Sequence, residues 1–393
     1  MMKHFEILRG ALVASLLVLT PLGVSAQVRS VYIEDTPDYA WHRGCFGTAS
    51  GNLMGFWDRN GFSNIYEGPA NGGVAPLNSN GSNSAIYDMW ASVGHDADYW
   101  VQYETDAQDP YATEGRQEHA PDCIGDFIGL NQNKWKSLDG ECDGNIDGFS
   151  FVFWDKTGAR RWNYQPTFAS GEIIPDIPSG LKRWMEYRGY DCNVYSQLAN
   201  VNDEATGSES FSFDDLTAEI DAGFPVLLFL QDSATLKRQI GSMKNANPSI
   251  HAFMVYGYRT EANGDKRIRV RTSWGSGDNM FYPWNSSSLV GGDLPIRGVI
   301  VVRPSPRIHD VERTGSNVSV TWSGPSANLN INQSSQPAHW YVVEKSRDLV
   351  GFEEMSEPTA GTTASFNDAE ESAGSVFYRV RTLLPAEVVA RGL

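Results

Sequence analysis

Cys45 stands directly before an apolar stretch in HRGCFGTASGNLMGFWD, residues 42–58. A thiol does chemistry as its thiolate, and a helix N terminus stabilises that anion through backbone N–H groups. Gly44 lets the backbone approach closely. The main-chain N–H of Cys45 is itself suited to hold an oxyanion. Without a partner, such a cysteine is more often core, since cysteine is among the most buried residue types. A nucleophile needs a base. Of the seven histidines, His251 is the best candidate, because it opens the apolar run HAFMVYGY. A histidine at the mouth of a buried strand faces a cleft while its neighbours fill the core. The two residues are 206 positions apart (251 − 45), a spacing suited to a helical half supplying the thiol and a sheet half the base. His42 falls on the approach to Cys45, and His95 and His119 sit in polar, loop-like contexts. No G-x-S-x-G and no H-E-x-x-H is present.

The elements that must position this pair are legible in outline. TASGNLMGFWDRNG reads as a buried helix stopped by Gly61. AIYDMWASV, CIGDFIGL and SGLKRWMEYRGY read as further helices, the last amphipathic. DGFSFVFWDKTGARRWNY reads as a hairpin turning at Gly158. In FSFDDLTAEIDAGFPVLLFL, Ser212 and Asp215 form a capping pattern for a helix to Asp221. Gly223 stops it, and Pro225–Leu230 is a buried strand. HAFMVYGYRTEANGDKRIRVRTSWG predicts two strands joined at Asn263-Gly264. Around 302–307 the prolines of VVRPSPRIHD read as a linker. NVSVTWSG, HWYVVEKSRD, TASFND and SVFYRVRT then predict a small β-sandwich.

Residues 1–26 carry a basic start, an apolar core and small residues before Gln27, the pattern of a secretory signal. The expected division is therefore 1–26 signal peptide, 27–304 catalytic-type domain and 305–393 β-sandwich. Export to a periplasm or beyond the cell follows, with no membrane insertion after signal removal. The 41% hydrophobic content, with 12 Trp, 16 Tyr and 18 Phe, supports a large core rather than disorder. A net charge of −17 disfavours nucleic acid and anionic membranes as partners. Of the four cysteines, Cys142 and Cys192 lie in polar, turn-like contexts and are the expected disulfide.

The segment DYAWHRGCFGTASGNLMGFWDRNGF resembles the nucleophile segment of papain-like cysteine peptidases. It is most similar to secreted bacterial proteins related to bacteriocin-processing, double-glycine-leader peptidases of the C39 type. The matching residues are Gly44, Cys45, Thr48, Ala49, Gly55, Phe56, Trp57 and Asp58, with Gly47 in place of a proline. EIDAGFPVLLFL and HAFMVYGY resemble the helix–strand and the histidine strand of that family, which puts its catalytic histidine on His251. VRTSWG resembles the strand of the third catalytic residue and puts Thr272 where the family has Asn or Asp. A threonine accepts a hydrogen bond from imidazole but carries no charge. The family's oxyanion glutamine is absent, and the Tyr39 hydroxyl or the Trp41 indole N–H would have to substitute. The chain after Pro306 resembles a fibronectin type III-like module. The middle of the chain, about 70–205, matches only loosely.

The resemblance implies an α+β, papain-like fold, with a helical half carrying Cys45, an antiparallel sheet half carrying His251, and a small all-β sandwich behind them. It implies an exported cysteine peptidase-like hydrolase that needs no cofactor and acts on a peptide or protein substrate. The sandwich would supply contact to a surface or protein. Two alternatives stay open: a catalytically inactive binding or adhesion protein on the same fold, and a transpeptidase-like acyl transferase using the same pair. Elsewhere, Asp143, Asn145 and Asp147 open a calcium-loop pattern. Its twelfth position is Trp154 rather than Glu, so an acidic turn into a strand is preferred to a metal site. HAPDCIGDF puts Asp122, Cys123 and Asp126 on one short helix, with Cys123 as a second candidate thiol expected to pack against the core.

Overall fold

The computed structural model describes residues 28–66, 73–79, 84–101, 107–135, 143–144, 151–199, 210–231, 250–274, 281–284, 296–326, 329–332, 337–369 and 375–393. Residues 1–26, the expected signal, lie outside the described residues.

In chain order the first elements are β1 (Arg29–Tyr32), α1 (Cys45–Arg59), α2 (Val93–Tyr99), α3 (Pro110–Glu114) and α4 (Ile124–Ile128). The short strands β2 (Asp143–Gly144), β3 (Phe151–Val152) and β4 (Arg161–Trp162) precede α5 (Ile177–Tyr187), β5 (Cys192–Leu198) and α6 (Phe213–Asp221). Then come β6 (Val226–Gln231), β7 (Ile250–Thr260), β8 (Lys266–Arg271), β9 (Phe281–Pro283) and β10 (Ile296–Pro304). The last elements are β11 (Arg307–Thr314), β12 (Asn317–Ser323), β13 (Tyr341–Ser346), β14 (Glu353–Glu354), β15 (Thr363–Asn367), β16 (Phe377–Thr382) and α7 (Pro385–Arg391). The architecture is mixed α and β with antiparallel sheets.

An eight-stranded antiparallel sheet runs β4-β5-β10-β6-β7-β8-β9, with β1 pairing β7 beyond the end of β6. Helix α1 lies against β6 and β7 and buries every residue from Cys45 to Asp58. It can do so because Gly47 and Gly51 leave room for the Trp90 ring, and Gly55 for Tyr39; a Cβ at any of them would collide. Helix α6 begins as its sequence predicts: Ser212 and Asp215 cap each other's backbone, with Asp215 N–H to Ser212 Oγ at 3.1 Å. Gly223 leaves the helix at φ +78°, a backbone angle that favours glycine.

The structure departs from expectation in three places. The strands β3 and β4 do not form a hairpin. Residues Asp155–Gly158 do turn, but β3 pairs with β2 and β4 joins β5, where the Trp162 ring lies 4.6 Å from that of Tyr195. The expected linker is two residues long. β10 runs through Pro304, Ser305 donates its N–H to Asp191 O at 2.9 Å, and β11 starts at Arg307. Strands β11-β12-β15 and β14-β13-β16 form two three-stranded sheets with their own core of Val318, Val320, Trp322, Tyr341, Val343 and Phe366. Yet Leu329 and Ile331 belong to the main core, Ile331 bridges Ile33, and His339 sits edge-on to Phe224 at 5.0 Å. Finally, Cys192 is not in a disulfide. As the first residue of β5 its side chain enters the core, and burial pushes the thiol up to about 12. Cys142 lies outside the described residues.

Candidate functional site

The approach to Cys45 is a built loop. Arg43 has φ +57° and Gly44 φ +136°, so the chain bends sharply into α1. Arg43 clamps Asp96 with Nε–Oδ1 at 2.8 Å and Nη2–Oδ2 at 2.6 Å, and its guanidinium lies 4.4 Å from the Trp100 ring. The His42 N–H donates to Thr48 Oγ1 at 3.0 Å, and Trp90 Nε1 donates to His42 O at 3.0 Å. The His42 ring stacks on Tyr87 at 4.4 Å, and burial lowers its pKa to about 4. Gly44 has no side chain to cap α1. Cys45 is 1% exposed and is not in a disulfide.

The next residue ties this helix start to the sheet. Phe46 packs on Phe229 of β6 with centroids 4.9 Å apart, and Phe229 pairs across the ladder with Ala252 of β7. His251 is the neighbour of Ala252 and pairs with Leu230. The segment starting at Cys45 is thus linked to the strand of His251 through Phe46, Phe229 and Ala252.

His251 is held from β8. That strand ends at Arg271, opposite Met254, and then turns through Ser273 at φ +64°. The turn brings the Thr272 main-chain oxygen to 2.7 Å from His251 Nε2 and the Trp274 ring onto the imidazole, 4.1 Å away and 16° from parallel. A carbonyl only accepts, so Nε2 carries the proton and Nδ1 presents its lone pair. Burial lowers the His251 pKa to about 4, opposed by the Thr272 carbonyl. The imidazole is 5% exposed and neutral at pH 7. The expected role of the Thr272 side chain is corrected in kind: the atom bonded to His251 belongs to the backbone.

The oxyanion candidates separate. The Tyr39 hydroxyl donates to Pro76 O at 2.7 Å and lies over Gly55, ten residues along α1 from Cys45. At 1.5 Å rise per residue that is about 15 Å from the helix start, so Tyr39 is corrected to a core residue. Trp41 is 37% exposed, with its ring edge-on to Trp100 at 6.4 Å. Of the calcium pattern, Asp143 is the first residue of β2, and Asn145 and Asp147 lie outside the described residues. The twelfth position, Trp154, is buried with its ring 5.9 Å from Phe229.

A second polar cluster was not legible as one. His95 and His119, expected on loops, converge with Cys123 on Asp126. His95 is on α2 and fully buried, and its Nδ1 meets Asp126 Oδ1 at 2.7 Å. His119 Nε2 lies 3.2 Å from Asp126 Oδ2, and the Cys123 thiol donates to the same oxygen at 3.3 Å. Cys123 is buried as expected, but on this carboxylate rather than in the apolar core. Burial pushes the Asp126 carboxyl up, but the histidine hydrogen bonds outweigh it and hold the group well below the usual carboxylate range. The bond to Asp126, against burial, raises His119 to about 9. The H-x-x-D-C-x-x-D spacing from His119 to Asp126 was the available signal; His95 comes from a different element.

No protein-family model and no curated protein matches the chain. Among solved structures, a β-1,2-glucanase from Parabacteroides distasonis is similar over 50% of this chain at 9% identity, with a TM-score of 0.14. The match covers 26% of that enzyme's length and carries no argument about fold or activity.

Proposed function

We propose that the chain is an exported cysteine hydrolase of papain-like fold that cleaves a peptide or isopeptide bond. In this reading His251 Nδ1 takes the proton of the Cys45 thiol, and the thiolate attacks the substrate carbonyl. The main-chain N–H of Cys45, helped by the Trp41 indole, holds the oxyanion. The imidazolium then protonates the leaving amine, and water releases the acyl group. The β11–β16 unit would be a fibronectin type III-like module that contacts a surface or a protein.

The observation that carries the reading is the Nε2–Thr272 hydrogen bond. It fixes the one tautomer that leaves Nδ1 as a base. Support for the papain-like fold comes from a fully buried helix starting at Cys45 and laid against the strand of His251. The test is alkylation of the native, reduced chain with iodoacetamide, followed by peptide mapping. Cys45 should react before Cys123 and Cys192, and His251→Ala should slow it by about 10²-fold or more. Failure of Cys45 to label sinks the proposal. The burial of Cys45 favours a second reading, a binding protein that keeps this fold without catalysis. Cys45→Ala with every binding property intact and no lost activity would support that one.

A further inference from the structure

We propose that His95, Cys123 and Asp126 bind one divalent transition-metal ion, with Zn²⁺ best suited to the set and His119 bracing Asp126 from outside it. The three residues come from α2, the N-cap of α4 and α4 itself. Sγ of Cys123, a ring nitrogen of His95 and a carboxylate oxygen of Asp126 all lie within 4.8 Å of one another. Around Asp126 the separations are 2.7 Å to His95, 3.2 Å to His119 and 3.3 Å to Cys123. Bonds of about 2.0–2.3 Å to a tetrahedral zinc require ligand atoms roughly 3.3–3.8 Å apart. The Asp126 contacts to His95 and Cys123 would open by about half an ångström on average, which side-chain rotation supplies.

The second layer points the same way. A metal-bound imidazole usually donates its other N–H to an oxygen. Beside the set, His119 holds Asp126 Oδ2 through Nε2 and is itself braced through Nδ1 by Asp98, a buried carboxylate also held by Arg116 and by the His119 backbone N–H at 2.8 Å. His95 Nε2 faces Asn131 Oδ1 at 3.5 Å. Each ring is thus braced on the side away from Asp126 and turned toward it on the other. Charge also fits. The Cys123 thiolate and the Asp126 carboxylate neutralise a +2 ion, and His95 binds as a neutral ligand. Ion entry releases to solvent the thiol proton and any proton on His95 Nδ1. A thiolate and an imidazole favour Zn²⁺ over Mg²⁺ or Ca²⁺. Asp122, with Oδ1 at 3.7 Å from His119 Nε2, is half exposed at the rim and can carry the ion inward.

The test uses the full chain, treated with chelator and then titrated with Co²⁺ alone. One Co²⁺ per chain should bind, with a thiolate-to-cobalt charge-transfer band in the near ultraviolet that Zn²⁺ abolishes by displacement. Cys123→Ser should lose the band, and Cys45→Ser should keep it. His119→Gln should keep the band and weaken binding about 10- to 100-fold. Far-ultraviolet circular dichroism of each metal-free variant checks its fold. Should Cys123→Ser not fold, His95→Gln replaces it and must weaken Co²⁺ binding at least about tenfold. Absence of stoichiometric Co²⁺ uptake by the native chain overturns the proposal, as does a charge-transfer band that survives in Cys123→Ser. These outcomes are independent of the reactivity of Cys45.

Discussion

His251 donates from Nε2 to the main-chain oxygen of Thr272 at 2.7 Å, so the imidazole is oriented by the path of the backbone after β8. That relation survives a change of side chain. In Cys45→Ala, where no thiolate can raise it, the His251 ring should titrate near 4 and remain the Nε2–H tautomer by nitrogen NMR. Thr272→Val on that background should leave both unchanged. In the native chain it should alter the alkylation rate of Cys45 by less than about threefold. A switch to the Nδ1–H tautomer would show that the threonine side chain does the orienting.

Gly51→Ala puts a Cβ into the six-membered ring of Trp90. Overpacking of this kind costs about 1–3 kcal/mol, read as a lower denaturation midpoint. Trp90 also holds the approach loop through His42 O. The variant should therefore change Cys45 alkylation as well. Gly73→Ala, where a Cβ meets nothing, is the control.

His339 reports on acid stability. Burial lowers it to about 4 from an ordinary 6.5, against a hydrogen bond with the Gly223 backbone. The unfolded chain takes up this proton below about 6.5 and the folded chain only near 4. Its stabilisation is therefore complete above 6.5 and is lost as pH falls through that window. By linkage, one such group accounts for about 2 kcal/mol between pH 7 and pH 5. His339→Gln should reduce the fall in unfolding free energy over that interval by about this amount. An unchanged pH dependence would mean that His339 titrates normally.

Truncation after Pro304 should not yield a well-folded fragment. It removes Leu329 and Ile331 from the main core, the Ile33–Ile331 bridge, and the His339 ring from Phe224. The fragment should melt well below the full chain or aggregate, by differential scanning fluorimetry. Retention of the full-chain midpoint would show that the two units are independent.

Local order was largely legible in the sequence. The burial of α1, the capped start of α6 with its Gly223 stop, and the β7–β8 turn at Asn263-Gly264 follow from periodicity, capping and turn chemistry. These act over a few residues. Pairing across distance was less legible. The aromatic run at 150–164 reads equally as a hairpin, whereas β4 pairs with β5 and sets Trp162 opposite Tyr195. The prolines near 304 read as a linker because sequence does not reveal that Leu329 and Ile331 return to the first core.

At the candidate site, the residue types at 45 and 251 were determined by the sequence alone, since thiol and imidazole chemistry is written in the side chains. The tertiary structure decided which atoms serve them. It assigned the orientation of His251 to a backbone carbonyl, took Tyr39 away from the helix start, and gathered His95, His119 and Cys123 around Asp126. Backbone groups are the same at every position and so leave no mark in a sequence. Their effect depends on where β8 ends and turns, and on which elements the core brings side by side.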